Sequence, residues 1–200
     1  MANICETTYI LGGSPAIVKD FIGTIDSLIQ KYNRAEFSDI AAAYDINIQE
    51  ERLDARGYVF GHDDIYIDDN GKTKVMFYTE SKWADCDNLY NRIKETLGDV
   101  TLSYIALEPG NGLFNKHDED NDFIDKECVV DCYGGMDDIF GGEDLFDTTT
   151  YEDAISDWFN LMGKNQPKNM SYEELINIIN SYDEYISDDI FYNIYPLHEV

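Results

Sequence analysis

The sequence predicts an α+β protein whose first half is a split βαβ sheet in the ferredoxin-like order, followed by an added strand and an acidic helical extension. Three observations carry this. Strand-like apolar runs and helical stripes follow one another as β–α–(insert)–β–β–α–β across residues 1–112. Asn70-Gly71 stands between the second and third strand runs, where a hairpin is required. At 44% hydrophobic, with 15 Tyr and 10 Phe, the chain can fill a core, which excludes a disordered acidic polymer.

Thr7–Leu11 reads as the first strand, closed by Gly12-Gly13. Ser14-Pro15 then starts a helix over residues 14–32, with Ile17, Phe21, Ile25, Leu28 and Tyr32 on one face. Residues 34–56 read as a helical insert. Its two short helices lack the Lys/Arg cluster of a DNA-recognition helix. Tyr58 to Ile67 predicts a strand bulged near Gly61-His62, and Thr73–Glu80 is its return partner. Asp85 or Asp87 is the expected cap of a helix carrying Leu89, Ile93 and Leu97, stopped by Gly98. Trp83 is the expected packing anchor at its start. Val100–Leu107 is the fourth strand.

Past residue 114 the chain becomes an acidic extension. Glu127–Tyr133 alternates like a strand added to the first sheet, and residues 134–147 read as irregular. Thr150 and Ser171 open two capped helices, whose apolar faces are expected on the open face of that sheet. The stretch from Ser187, with Ile190, Phe191, Tyr195 and Leu197, is expected to pack down as well.

Charge is the most unusual feature. The chain has 14 Lys+Arg against 41 Asp+Glu, a formal charge of -27. Residues 117–200 alone hold three basic and 22 acidic groups. Such a field excludes direct nucleic-acid binding and favours a basic protein partner. The candidate partner-binding residues are Asp118, Glu119, Asp120, Asp122 and Asp125, then Asp137, Asp138, Glu143, Asp144 and Asp147. Their density suits a surface that imitates a nucleic-acid backbone and occupies a partner's basic channel; a solvated acidic face is the plainer reading. A calcium loop starting at Asp118 fails, because its sixth position is Phe123 and its twelfth Val129.

No catalytic residues, metal ligands or cofactor motif emerge. Glu80 and Glu108 end two strands, but the third and fourth strands are read as antiparallel, which sets these carboxylates at opposite edges. Tyr9, Tyr78 and Tyr104 could line the open sheet face, where core packing is the preferred reading over base stacking. Cys5, Cys86, Cys128 and Cys132 read as reduced, buried thiols. MANICETTY has neither the basic nor the apolar region of a signal peptide, and no run is long enough to span a membrane. A cytoplasmic protein is expected.

Three segments resemble the Api92-like proteins with their YubB-type ferredoxin-like domain. They are the opening Met1 to Gly13, Thr79-Glu80-Ser81-Lys82-Trp83, and Ile105 to Phe114 with its Glu108-Pro109-Gly110-Asn111-Gly112 turn. The strand at Cys128–Tyr133 with the acidic stretch after it is similar too. Ile4 stands where that family often has tryptophan, and Ala84-Asp85 where it has a proline pair. The resemblance implies a phage or plasmid accessory protein and brings no catalytic residues. The expectation is therefore a non-enzymatic protein that binds a basic host or element protein, in its narrower form a nucleic-acid mimic that inhibits a host defence nuclease. A metal-dependent hydrolase using the acidic loops, or a structural or assembly protein, is the alternative.

Overall fold

The computed structural model describes residues 3–133, 145–182 and 191–200. The fold is α+β, in two compact units: Met1–Phe123 with Glu199–Val200, and Ile124–His198.

In the first unit, β1 (Ile4–Gly13) leads into α1 (Pro15–Tyr32). The Ser14 side chain accepts from the Ile17 N–H at the helix start, and Pro15 fills a position that needs no helical donor. β2 (Ala35–Glu36), α2 (Phe37–Ala43), β3 (Gly57–His62) and β4 (Tyr66–Ile67) follow. Then come β5 (Thr73–Lys82), α3 (Asp87–Leu97), β6 (Val100–Glu108) and β7 (Leu113–His117). The sheet order is β11-β7-β6-β1-β5-β3-β2, where β11 is His198–Glu199 and β4 pairs β5. The expected bulge is present, as a register shift between Val59 and Gly61.

β1 runs antiparallel to both β5 and β6, so those two strands run the same way and end at the same edge. This corrects the expectation that Glu80 and Glu108 lie at opposite edges. They still do not share a site, for a different reason. Glu6 is opposite both Glu80 and Leu107, which puts Glu80 and Glu108 on opposite faces of the sheet.

One face carries Tyr9, Leu11, Val75, Phe77, Leu102 and Tyr104, packed with Val18, Phe21, Ile25, Phe37, Ile40, Leu89 and Ile93 from the helices and the insert. Tyr9 stacks on Phe77 with centroids 5.1 Å apart and donates its hydroxyl to the Asp85 carbonyl at 2.9 Å. Tyr9 and Tyr104 are direct cross-strand partners in this core, whereas Tyr78 pairs with Thr8 on the other face. The three tyrosines therefore form no row. The N-cap position of α3 is held by Cys86, in the left-handed conformation with no side-chain cap bond, and not by Asp85 or Asp87. Trp83 also has positive φ and is 45% exposed, which does not suit a packing anchor.

The second unit has a sheet of its own. β8 (Cys128–Tyr133) lies between β9 (Leu145–Thr149) and β10 (Phe191–Pro196). Cys128, Val130 and Cys132 alternate onto one face and meet Ile155, Trp158 and Phe159 of α4 (Tyr151–Leu161) and Leu175, Ile176 and Ile179 of α5 (Tyr172–Asn180). The strand at Cys128 is thus not added to the first sheet, and these helices bury their apolar faces on their own sheet. The strand that extends the first sheet beyond β6 is β7. Both predicted caps are present: Thr150 accepts from the Asp153 N–H, and Ser171 and Glu174 form a full capping box. Part of the region read as irregular is strand β9. Ser187 and Ile190 lie outside the described residues, while Phe191 and Tyr195 lie on β10.

Candidate functional site

The acidic residues divide into two groups that are used differently. After β7 the chain turns at residues 118–122 and folds against the first sheet. Both Asp118 oxygens accept backbone N–H bonds, from Asp122 at 2.8 Å and Phe123 at 2.9 Å, which closes the turn. Antiparallel pairing of β6 with β7 ends at Tyr104 and His117. Beyond it, the Glu119 carboxylate accepts the Leu102 N–H at 3.0 Å, substituting for a strand partner. The same carboxylate pairs with Lys94 and accepts from His117. Burial would raise the Glu119 pKa, but these three donors outweigh it and hold it below the ordinary value.

Asp120 accepts from Lys72 and from the Thr101 hydroxyl, each at 2.6 Å. Its pKa is likewise lowered, with burial opposed by Lys72 and Thr101. Asp122 accepts from Lys74 at 2.5 Å and from the Ser103 hydroxyl at 3.1 Å. Lys74 is buried and also meets Asp68 at 3.0 Å. Burial alone would lower its pKa; the bonds to Asp122 and Asp68 reverse that and raise it. Four of the predicted partner-binding residues, Asp118, Glu119, Asp120 and Asp122, are thus occupied with the protein's own backbone, hydroxyls and lysines.

Asp125 and Asp147 are exposed; Asp147 accepts from the Thr148 N–H at 2.7 Å. Asp137, Asp138, Glu143 and Asp144 lie outside the described residues. The second unit adds exposed carboxylates that the sequence reading did not single out, at Glu152, Asp153 and Asp157 on α4 and Glu173 on α5. Asp153 and Asp157 stand one helical turn apart. The Asp157 pKa is raised, first by partial burial and then by the Asp153 charge. Among the described residues, Asp125, Asp147, Glu152, Asp157 and Glu173 form no ion pair with a cation.

A second site lies where β1 begins and β5 ends. Tyr58, Glu80 and Glu6 face one another across β3, β5 and β1, and the Tyr58 hydroxyl donates to Glu80. That bond is the main cause of a raised Tyr58 pKa. The Arg34 guanidinium lies over the Tyr58 ring, 4.7 Å from its centroid, and pairs with Glu36 at 2.6 Å. Arg56 forks onto Asp54. Arg34, Glu36, Arg56, Tyr58 and Glu80, together with Lys82 and Ile4, line a cavity of about 420 Å³. Arg34, Arg56 and Lys82 are isolated in the sequence; only the strand register brings them together.

Glu108 is almost fully buried, and its carboxylate accepts the Gly110 N–H at 3.1 Å and the Asn111 N–H at 2.7 Å. It serves to close its own turn. A Cβ at Gly110 would lie 2.5 Å from the Asn3 side-chain amide, which would have to shift to admit it. Among the described residues no group of three His, Cys, Asp or Glu is placed to hold a metal ion, and no helix is long and apolar enough to cross a membrane.

No family model, curated protein or solved structure matches this chain.

Proposed function

We propose that the protein is a non-enzymatic binding protein that takes a basic protein partner on the acidic surface of its second unit. The carrying observation is the contrast between the two groups of carboxylates. Glu119, Asp120 and Asp122 are paired with lysines, while α4 keeps Glu152 and Asp157 exposed without a cation among the described residues. Like charges one helical turn apart oppose the helix that carries them, and a bound cationic surface relieves that cost. The Asp153–Asp157 pair supports this reading most directly.

The first unit supports a ferredoxin-like reading through its order β6-β1-β5-β3, with α1 and α3 as crossovers. The mobile-element setting rests on the resemblance of residues 1–13, 79–83 and 105–114 to Api92-like proteins. The narrower role, a nucleic-acid mimic acting on a defence nuclease, belongs to the same proposal and has its own test.

Charge reversal by Glu152→Lys and Asp157→Lys is expected to abolish low-salt capture of a basic partner from host lysate. Wild-type capture is expected to fall steeply with added salt. Capture that survives the reversal sinks the proposal. Competition of double-stranded DNA with the protein for the captured partner supports mimicry; indifference to DNA leaves a basic-partner binder and removes the mimic.

A further inference from the structure

The cavity beside Tyr58 concentrates three of the chain's 14 basic residues, Arg34, Arg56 and Lys82, in a molecule of charge -27. Its lining sets these three cations against two carboxylates, Glu36 and Glu80, so an anion meets less repulsion here than over most of such a surface. Its volume of about 420 Å³ suits a small organic molecule. Lys82 is exposed, and its ammonium has no partner among the described residues. Arg34 uses one guanidinium nitrogen on Glu36, and Arg56 uses two on Asp54. Each therefore keeps N–H donors for a ligand oxyanion.

The rest of the wall is not cationic. Ile4, Ala55 and the Arg34–Tyr58 stack offer apolar and planar surface that an inorganic ion would leave unused. Glu36 and Glu80 are acceptors that suit hydroxyl or amino donors on a ligand. The pocket floor is fixed by close packing: a Cβ on Gly57 would lie 2.5 Å from both the Glu80 carbonyl and the Phe37 ring. We propose that this pocket binds a phosphorylated small molecule of nucleotide size. Its phosphate is held by Lys82 and the two guanidinium groups, and its hydroxyl or amino groups by Glu36 and Glu80.

Isothermal titration of the full chain with adenosine monophosphate, ribose 5-phosphate, adenosine and inorganic phosphate tests this. Saturable binding of either organic phosphate is expected, with adenosine and inorganic phosphate each at least about tenfold weaker. Lys82→Ala removes a side chain that supports nothing else described, so an unchanged circular dichroism spectrum is expected. Affinity should fall about tenfold, and Arg34→Ala should lower it similarly. Failure of both organic phosphates to bind overturns the proposal. So does inorganic phosphate binding as tightly as they do, or Lys82→Ala binding like the wild type. The pocket lies in the first unit, so these outcomes are independent of partner binding on α4.

Discussion

Lys74 is buried among Asp68, Asp120 and Asp122, and the loop at residues 118–122 depends on it. Replacing it by methionine keeps the volume but leaves nearly buried Asp122 without its cation. The expected cost is about 3–5 kcal/mol in urea denaturation of the first unit. The acid response follows from the neighbouring carboxylates. Glu119 and Asp120 have folded pKa values below their ordinary 4.5 and 3.8. Their stabilisation is present above those ordinary values and is lost as pH falls through the lowered folded ones. The loop should therefore hold at neutral pH and weaken only in acid below about pH 4.5. Glu119→Gln should flatten that acid slope when the urea midpoint is followed against pH. Lys74, shifted the other way, contributes fully below its ordinary 10.5 and loses its contribution only in strong alkali. The thiols give a separate check. Burial pushes Cys5 up to about 11 and Cys86 and Cys128 up to about 12. All four cysteines are buried and outside any disulfide, so a thiol reagent at pH 8 should label them only after denaturation.

At the scale of elements, caps are where local sequence and local structure agree. Ser171→Ala should cost about 1 kcal/mol, because the box that closes α5 loses the oxygen that accepts from Glu174. Such features were legible because they depend on residues three or four apart: the Ser14-Pro15 start, the Thr150 cap and the turn at Gly71. The bulge near Gly61 was legible for a similar reason, since the alternation of apolar residues breaks there. What escaped depends on register between distant strands. Tyr9 and Tyr104 lie under the helices because odd positions of β1 and even positions of β6 point that way. No local pattern distinguishes that face from the other. Glu80 and Glu108 were misjudged through strand direction. The acidic run at residues 118–122 reads as free charge in the sequence, because its lysine partners at 72, 74 and 94 are far from it along the chain. The Arg34–Lys82 pocket was missed on the same grounds.

The described residues form two cores that share no side chain, one under the first sheet and one under the second. Lys74→Met and Ser171→Ala should accordingly affect different parts of a chemical denaturation profile, and their effects should add. Hydrogen exchange resolved by segment checks this: each variant should speed exchange in its own unit and leave the other unchanged, except at the Val200 amide, where the chain re-enters the first unit. The chain's path ties the units together in another way. It leaves the first unit after Phe123 and rejoins it at Glu199–Val200, where the Val200 N–H reaches the Lys116 carbonyl and Glu199 pairs with Lys116. The ends of the inserted unit are held side by side by the Leu197 N–H on the Glu127 carbonyl, 3.0 Å away. While that unit is folded, the ring closed by β7 and β11 is effectively short. Once it unfolds, the ring becomes a flexible loop of about 75 residues, and closing it costs roughly 2 kcal/mol more. The Val200 amide is thus a built-in gauge of its neighbour's integrity: its rate of deuterium uptake should rise whenever the inserted unit opens, even while the sheet it borders stays intact.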